Sequence, residues 1–384
     1  MKHTTTVLHQ ILKFIPRTQF NRLVERHRGD HRVRRFSCWN QLTMMLFSQL
    51  VGSCSLRETV EPINSQGTAH DHLGLRPLRR STLSDANAKR PTQIWQELFY
   101  SLLSEIKGRW GQQGTQMIRL IDSTTIDLNL HHFQWAHFRS TKAGIKLHTV
   151  FDPEANVPTF FELTEAKTND RQAANALPLL NGATYVFDRA YDDYAWYAQL
   201  DRRNIRFVGR MKRHACYEVI RSHRSRHPDV LDDQIIQLIS PTGRKHCPIP
   251  LRRIRLRRAT DNRVLVFLSN DLERSAETIA GLYKQRWQIE LFFKWIKQNL
   301  KIKRFIGTSK NAVMTQVLIA LIAYLLLRLA QLRDDSQKSL LQWARWVRVN
   351  LMHRRDLRAI NEPPPDPDMW KMRRETSQLE MAFG

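Results

Sequence analysis

Four polar side chains recur on one face of the stretch YKQRWQIELFFKWIK, residues 283–297. An α-helix turns about 100° per residue, so Tyr283, Arg286, Glu290 and Lys297 fall within roughly 60° of one another. The large apolar residues of the stretch occupy a neighbouring sector, which we expect to pack on a core. A carboxylate among cations suits a helix that offers one ligand to a metal ion and positive charge to phosphates. The same residues also allow a plainer interpretation, a surface helix with an ordinary i, i+4 ion pair between Arg286 and Glu290.

Two aspartates come directly after short apolar, β-branched runs that are typical of strands. Asp122 follows MIRLI, and Asp188 follows TYVF. Neighbouring strands lie about 4.8 Å apart, so two such acids, with Glu290 above them, could share a pair of metal ions. Mg²⁺ prefers oxygen ligands and fits this set. Two alternatives stay open, because Asp188 is also a suitable helix N-cap and Asp127 competes with Asp122 on the same strand.

The charge of the chain favours a polyanionic partner. Lys and Arg number 61 against 36 Asp and Glu, a formal net charge of +25, and nucleic acid is the usual partner of so basic a protein. The four cysteines form no C-x-x-C pair, which argues against a disulfide framework and a zinc ribbon. No G-x-x-x-x-G-K-[ST] loop is present, so we expect no nucleotide cofactor.

The most apolar run is VLIALIAYLLL, residues 317–327, which is shorter than the roughly 20 residues that span a bilayer. We expect it to form a buried core helix. The opening MKHTTTVLHQILKFIPR lacks the long apolar segment of a secretory signal. The sequence therefore predicts a cytoplasmic protein with no membrane contact.

Residues 1–110 are predicted to form a helical N-terminal DNA-binding domain. CWNQLTMMLFSQL runs to Gly52, a helix stop, and Ser55 with Glu58 offers a capping box for the next helix. This pair of helices is interpreted either as a DNA-reading helix-turn-helix or as two packed helices, and the sequence does not separate the two.

Residues 111–307 carry a different pattern, which predicts a catalytic core. Three strand-like runs precede a helix, a strand, a second helix and a further strand, and a PEAN turn makes the second and third strands an antiparallel hairpin. This order matches a ribonuclease-H-like plan, a mixed α/β (α+β) fold with a central sheet flanked by helices. A β-rich basic insertion is expected at about 210–262. Residues 308–384 are expected to form a helical C-terminal region that ends, beyond Pro363, in a loose tail.

These residues resemble the DDE transposases of bacterial insertion sequences, in the cut-and-paste branch of the insertion-sequence-four type. That branch is marked by Y-x-x-R-x-x-x-E-x-x-x-x-x-x-K, which Tyr283, Arg286, Glu290 and Lys297 match at every spacing. The segments IDSTT and VFDRAYDDY also look like the acidic motifs of this family. The resemblance extends over nearly the whole chain.

The resemblance implies a catalytic and metal-binding triad that holds two divalent ions, Mg²⁺ with Mn²⁺ able to substitute. The triad residues are Asp122, Asp188 and Glu290. It also implies contacts to the terminal phosphates of a DNA end. The residues expected to contact DNA are Tyr283, Arg286, Trp287, Lys294 and Lys297. Of these, Trp287 would stack on a displaced base.

The expected activity is metal-dependent phosphoryl transfer on DNA, both strand cleavage at terminal inverted repeats and strand transfer into target DNA. The expected partners are double-stranded DNA and a second copy of the chain in a paired-end complex, associated with the nucleoid. Two other functions stay open at this point. One is a structure-specific nuclease of the same fold that does not join strands, and the other is a catalytically decayed DNA-binding repressor.

Overall fold

A computed structural model describes residues 5–65, 71–110, 117–139, 142–225, 227–300, 302, 304–333 and 338–360, with 109, 110, 137–139 and 142 described by their backbone alone. The predicted tail beyond Pro363 lies outside these residues.

The described strands belong to one continuous mixed sheet. They are β1 (Ile118–Leu128), β2 (His137–Arg139), β3 (Lys142–Asp152), β4 (Val157–Glu165), β5 (Thr184–Val186), β6 (Arg206–Arg210), β7 (Tyr217–His223), β8 (Val230–Leu238), β9 (Leu251–Arg257) and β10 (Val264–Ser269). The spatial order is β2-β3-β1-β5-β6-β10-β9-β8-β7, and β4 also pairs with β3. Strand β5 runs parallel to β1 and β6, whereas the other pairs are antiparallel.

Helices precede, flank and follow this sheet. They are α1 (Val7–Leu12), α2 (Arg17–Arg26), α3 (Cys38–Val51), α4 (Leu56–Ser65), α5 (Arg80–Lys89), α6 (Gln93–Trp110), α7 (Asp170–Ala174), α8 (Tyr194–Arg202), α9 (Pro241–His246), α10 (Ala276–Gln285), α11 (Trp287–Asn299), α12 (Lys310–Arg333) and α13 (Leu340–Asn350). The fold is therefore mixed α/β, as the sequence predicts.

The predicted hairpin at PEAN is confirmed as β3 and β4. Asp152 starts the turn, because its carboxylate accepts the N–H groups of Glu154 and Ala155, each at 3.0 Å. Asn156 takes a left-handed φ of 55°, which asparagine tolerates better than most residues. Asp152 then pairs with Val157 across the hairpin, which sets the antiparallel register that the turn predicts.

Residues 210–262, predicted as a β-rich basic insertion, contain β7, β8 and β9, and these strands extend the central sheet. Strand β10 pairs with β6 on one side and with β9 on the other, which joins β9, β8 and β7 to the core strands. Part of its positive charge is used internally, since Arg252 donates to both oxygens of Asp233 at 2.8 and 2.7 Å.

Helices α3 and α4 are two packed helices. All but a few residues of α3 are buried, so this helix offers little surface to a DNA groove. On α4 the exposed charges include Glu58 and Glu61, and Arg57 is paired with Glu61 at 3.4 Å. Glu58 N–H donates to Ser55 Oγ at 3.1 Å, as the predicted helix start requires. A negatively charged outer face does not suit a recognition helix, so the packed-pair interpretation is the better one.

Helix α12 contains the apolar run 317–327 and is the central core helix of the protein. By length and composition it could cross a membrane, yet 89% of its most apolar window is buried in the protein. It packs against α3, α5 and α6, and Tyr324 Oη donates to the carbonyl of Asn156 at 2.8 Å. The predicted buried core helix is confirmed.

Candidate active site

The pairing of β1 with β5 places two aspartates side by side. Leu120 of β1 and Val186 of β5 are register partners in this parallel pair. Asp122 comes two residues after Leu120 and Asp188 two residues after Val186, so both acids lie just beyond the end of the β1–β5 pairing. Asp127 lies an odd number of residues after Asp122, and side chains alternate between the two faces of a strand. Asp127 therefore points to the opposite face, where it is exposed. Of the two competing acids on β1, the structure brings Asp122 next to Asp188.

The stretch 283–297 is divided at Arg286, where α10 ends and α11 begins. Arg286 N–H donates to the carbonyl of Tyr283 at 3.1 Å, and Ile289 N–H donates to the carbonyl of Arg286 at 3.2 Å. These are i to i−3 bonds, tighter than those of an α-helix. The expectation of a single uninterrupted helix is wrong at this residue, although Glu290 and Lys297 remain on the same helix.

The side chain of Arg286 connects two carboxylates. Its Nη2 donates to Glu290 Oε1 at 2.5 Å, and its Nη1 lies 3.6 Å from Asp122 Oδ2. Further along α11, Lys297 Nζ donates to the carbonyl of Thr125 on β1 at 2.8 Å. The Arg286–Glu290 ion pair that the sequence allows is present, and Arg286 also pairs with Asp122. Helix α11 is thereby held against the strand that carries the first aspartate.

Asp122 lies in an unfavourable environment for a negative charge. Its side chain is 16% exposed. The pKa of Asp122 is raised to about 7, chiefly by burial and also by the nearby charges of Asp188 and Glu290. The Ser123 N–H, which donates to Asp122 at 2.8 Å, and the charge of Arg286 act in the opposite direction. Asp122 therefore interacts electrostatically with both other acids.

Asp188 also has a structural role. Its Oδ1 accepts the N–H of Ala190 at 2.8 Å and caps a short 3-10 helix, Arg189–Tyr191. The N-cap that the sequence suggests as an alternative is therefore present. It is compatible with a ligand role, because the charge of Asp188 still acts on Asp122.

The donor set matches a divalent cation in kind, since carboxylate oxygens are the ligands that Mg²⁺ prefers. Within the described ranges, no three His, Cys, Asp or Glu side chains lie close enough together to coordinate one ion as they stand. At this site the contacts explain why, because the guanidinium of Arg286 pairs with both Asp122 and Glu290. The carboxylates are suitable ligands whose charge an arginine partly neutralises here.

Two cavities adjoin these residues. The first, of about 370 Å³, is lined by Asp122, Ser123, Thr124, Glu290, Phe293, Lys294, Lys297 and Gln298. The second, of about 480 Å³, is largely apolar, and the predicted residues among its lining are Tyr283, Arg286 and Trp287. In this second cavity Tyr283 packs on Phe267 with ring centroids 4.9 Å apart, and Trp287 is 58% exposed. The predicted DNA-contacting residues thus fall into two groups, and Arg286, which lines the second cavity, pairs with Asp122 and Glu290 of the first.

The sequence did not predict a polar network that begins at Ser123, the residue after Asp122. Ser123 Oγ donates to Asp170 Oδ1 at 2.6 Å, and Asp170 also lies 3.4 Å from Lys146 Nζ and 3.5 Å from His148 Nδ1. His148 is 1% exposed, and burial lowers its pKa to about 4. Ser123 and His148 are register partners across β1 and β3. Only that register, a non-local feature, could have brought these residues together.

Two family models match the chain. The model described as a transposase DDE domain matches residues 113–326 and so includes all three acids. A second, described only as a domain of unknown function (DUF4372), matches residues 3–76.

Similar proteins agree with the first match. The putative transposase y4zB of Sinorhizobium fredii is 38% identical over 307 residues, covering 78% of this chain and 85% of that protein. The probable transposase for insertion sequence element IS5377 of Geobacillus stearothermophilus is 32% identical over 275 residues, covering 69% of this chain and 70% of that protein. A solved piggyBac transposase synaptic complex with hairpin DNA has a TM-score of 0.44 at 12% identity, covering 97% of this chain and 82% of that one, too remote to carry an argument. The chain therefore belongs to the DDE transposases of bacterial insertion sequences.

Proposed function

We propose that this transposase binds the terminal inverted repeats of its insertion sequence and moves it by a cut-and-paste route. Strand cleavage and strand transfer both take place at Asp122, Asp188 and Glu290. The observation that carries this proposal is the side-by-side position of the two aspartates, together with the Arg286 bridge that links Glu290 to Asp122.

The catalytic core is proposed to be ribonuclease-H-like. The arrangement that supports this is an antiparallel set, β4-β3-β1, followed by the parallel strands β5 and β6. In this arrangement the first acid lies within β1, the second lies just beyond the end of the neighbouring β5, and the third comes from a helix that packs on β1.

Asp122, Asp188 and Glu290 would hold the divalent cations, Mg²⁺ or Mn²⁺. A bound pair supplies activation of the attacking oxygen and stabilisation of the leaving oxygen in phosphoryl transfer. The protein's own contribution is to orient these carboxylates. Ser123 N–H and Arg286 both favour the charged form of Asp122, which is the form that binds a cation.

The cationic residues around the two cavities are proposed to bind DNA. Lys294 and Lys297 line the same cavity as Asp122 and Glu290, so a DNA strand entering it meets positive charge beside the acids. Tyr283 and Trp287 line the adjoining apolar cavity, where an aromatic face is available to a base. Two copies would act together on paired DNA ends, in the cytoplasm and on the nucleoid.

The test is a cleavage and joining assay on DNA that carries the element's own ends, with Mg²⁺. Asp122→Asn, Asp188→Asn and Glu290→Gln should each abolish strand cleavage and leave DNA binding in place. Asp127→Asn is the matched control, because this exposed acid lies on the same strand and faces the other way. Undiminished cutting by any triad variant would remove that residue from the site.

Pre-cut ends supplied with a target plasmid test the joining step. Integrated products support the transposase proposal. Cutting without integration would instead assign a non-joining nuclease, and binding without cutting would assign a decayed repressor.

A further inference from the structure

The segment between α2 and α3, residues 28–35 with the sequence RGDHRVRR, forms an exposed basic loop that we call the arginine loop. The exposed basic side chains are Arg28, His31, Arg32, Arg34 and Arg35. The one acid of the loop, Asp30, is turned towards the protein. It accepts the N–H of Cys38 at 2.7 Å and lies 3.6 Å from Arg90.

Arg28 stands in a backbone conformation that other residue types adopt more easily. Its φ is 52°, in the left-handed region, directly after the end of α2. Gly29 N–H donates to the carbonyl of Val24 at 2.8 Å and Arg28 N–H to that of Glu25 at 3.0 Å. This is the bonding of a Schellman helix end, in which the left-handed position usually belongs to glycine or asparagine. Here it belongs to an arginine.

Arg32 repeats this feature within the same loop. Its φ is 58°, at the third position of a turn closed by Val33 N–H donating to the carbonyl of Asp30 at 3.1 Å. Glycine and asparagine are the residues that favour a positive φ at this position. Two strained arginines in one loop are notable, because strained backbone persists where the surroundings impose it and is concentrated at functional sites.

The backbone of the loop is anchored on the protein at both ends. A Cβ atom at Gly29 would lie 2.4 Å from Ile94 Cδ1 and 2.7 Å from Cys38 Sγ, so the loop backbone sits directly on the core. At the other end of the loop Arg90 donates to the carbonyl of Ser37 at 3.0 Å and to that of Phe36. The arginines are therefore presented on an anchored backbone, which reduces the entropy lost when a ligand binds.

The loop arginines have no ion-pair partner in the part of the chain that the structure describes. Among the residues that the structure describes, no carboxylate lies within ion-pair distance of Arg28, Arg32, Arg34 or Arg35. In contrast, Arg26 at the end of α2 is paired with Glu97 at 2.7 Å. Unpaired guanidinium groups on a rigid loop are well suited to phosphate oxygens, which arginine binds through two parallel hydrogen bonds.

We propose that the arginine loop binds the sugar-phosphate backbone of duplex DNA, as a contact surface separate from the active-site cavities. The inference rests on the proposed function and identifies which surface of the N-terminal region meets DNA. It assigns this contact to the loop and not to α3 and α4, whose exposed face carries Glu58 and Glu61. Arg17, stacked on Trp39 at 3.8 Å, lies close enough to Asp30 for their charges to interact and extends the basic surface.

The first test removes two charges and keeps the backbone, with the double variant Arg28→Asn, Arg32→Asn. Asparagine adopts positive φ readily, so the melting temperature should be unchanged or higher. The affinity for a mixed-sequence duplex of about 40 base pairs, measured by fluorescence anisotropy over a salt series, should fall roughly tenfold or more. The slope of log affinity against log salt should fall by about 2, since each lost phosphate contact removes close to one unit.

The matched control is Arg345→Gln, Arg358→Gln, which removes two exposed arginines near the C-terminal end of the described chain. It should keep the wild-type slope. Equal losses in both double variants would show a diffuse charge effect and overturn the proposal.

A photo-crosslinking residue placed at Val33, which is 37% exposed in the middle of the loop, should crosslink to the duplex. The same residue at Val349, which is 74% exposed on α13, should not. Polyglutamate and unlabelled DNA are then added as competitors of the Val33 crosslink. If polyglutamate suppresses the crosslink as well as DNA does, the loop binds an acidic protein partner and the proposal is overturned.

The two failures can be told apart. If the wild-type protein neither binds nor cuts DNA, the proposed function fails. If it binds and cuts while the loop variant keeps the wild-type salt slope, only the arginine-loop inference fails.

Discussion

Arg286 Nη1 lies 3.6 Å from Asp122 Oδ2, although one residue belongs to the junction of α10 and α11 and the other to β1. The same guanidinium donates to Glu290 at 2.5 Å. An arginine thus supplies positive charge between two of the three proposed metal ligands. The behaviour of the site towards cations, pH and DNA follows from this contact and its surroundings.

Arg286→Gln should destabilise the protein more in EDTA than in Mg²⁺. Loss of the guanidinium leaves Asp122 and Glu290 without their shared partner, a loss of about 1–3 kcal/mol in the free energy of unfolding. A bound cation should compensate for much of this loss. Thermal unfolding in both conditions measures the difference, with the exposed Arg345→Gln as control. Equal melting-temperature shifts in EDTA and Mg²⁺ would contradict the bridging role.

Cation binding should release a proton below about pH 7. The pKa of Asp122 is raised to about 7, chiefly by burial, and a metal ion binds the carboxylate form. Apparent affinity for Mg²⁺ should therefore weaken by up to about tenfold for each pH unit below 7 and level off above it. Calorimetric titration in two buffers of different ionisation enthalpy counts the protons. Affinity that does not change across this range would argue against Asp122 as a ligand.

The buried His148 should make the protein less stable in mild acid. Burial lowers its pKa from 6.5 to about 4, against the opposing charge of Asp170. Between these two values the unfolded chain binds a proton that the native protein does not, so the free energy of unfolding falls as pH falls. The contribution is at most about 3 kcal/mol. Urea unfolding across this range should show a shallower pH slope for His148→Gln than for the wild type. The exposed His353→Gln should keep the wild-type slope, and an unchanged slope in His148→Gln would refute the assignment.

Lys297→Met should affect DNA binding more than folding. The partly exposed ammonium group donates to the Thr125 carbonyl at 2.8 Å, and loss of such a bond costs about 1 kcal/mol. Removal of a cation from the cavity that holds Asp122 and Glu290 should weaken binding of the DNA end much more strongly. Melting temperature and anisotropy on the same samples separate the two effects. A large fall in melting temperature with unchanged affinity would make Lys297 a structural residue.

Trp287→Ala should leave stability nearly unchanged, because the side chain is 58% exposed. Its loss should weaken binding to DNA with an unpaired base by about 5- to 150-fold, the range for one stacked base. Binding to a fully paired duplex should change less. Leu291→Ala, 48% exposed on the same helix, is the control and should have little effect on either DNA. Equal losses on both DNAs would exclude base stacking.

Local patterns were sufficient for much of the architecture. The PEAN turn predicted the β3–β4 hairpin, and the apolar run of α12 predicted a core helix, because turns and helical periods depend on residues near in sequence. The helix-turn-helix question needed the structure, since α3 and α4 have the same local signals whether they read DNA or pack on a core.

The sequence by itself determined the helical face that carries Glu290 and Lys297, because helical periodicity is a local property. Only the tertiary structure decided that Asp122, and not Asp127, lies beside Asp188, because the register of β1 with β5 depends on packing between distant segments. Only it showed that Arg286 serves both Glu290 and Asp122, and that Ser123, Asp170 and His148 form a network behind them. The arginine loop was also a tertiary result, since contacts of Gly29 and Asp30 with α6 and the start of α3 anchor its backbone.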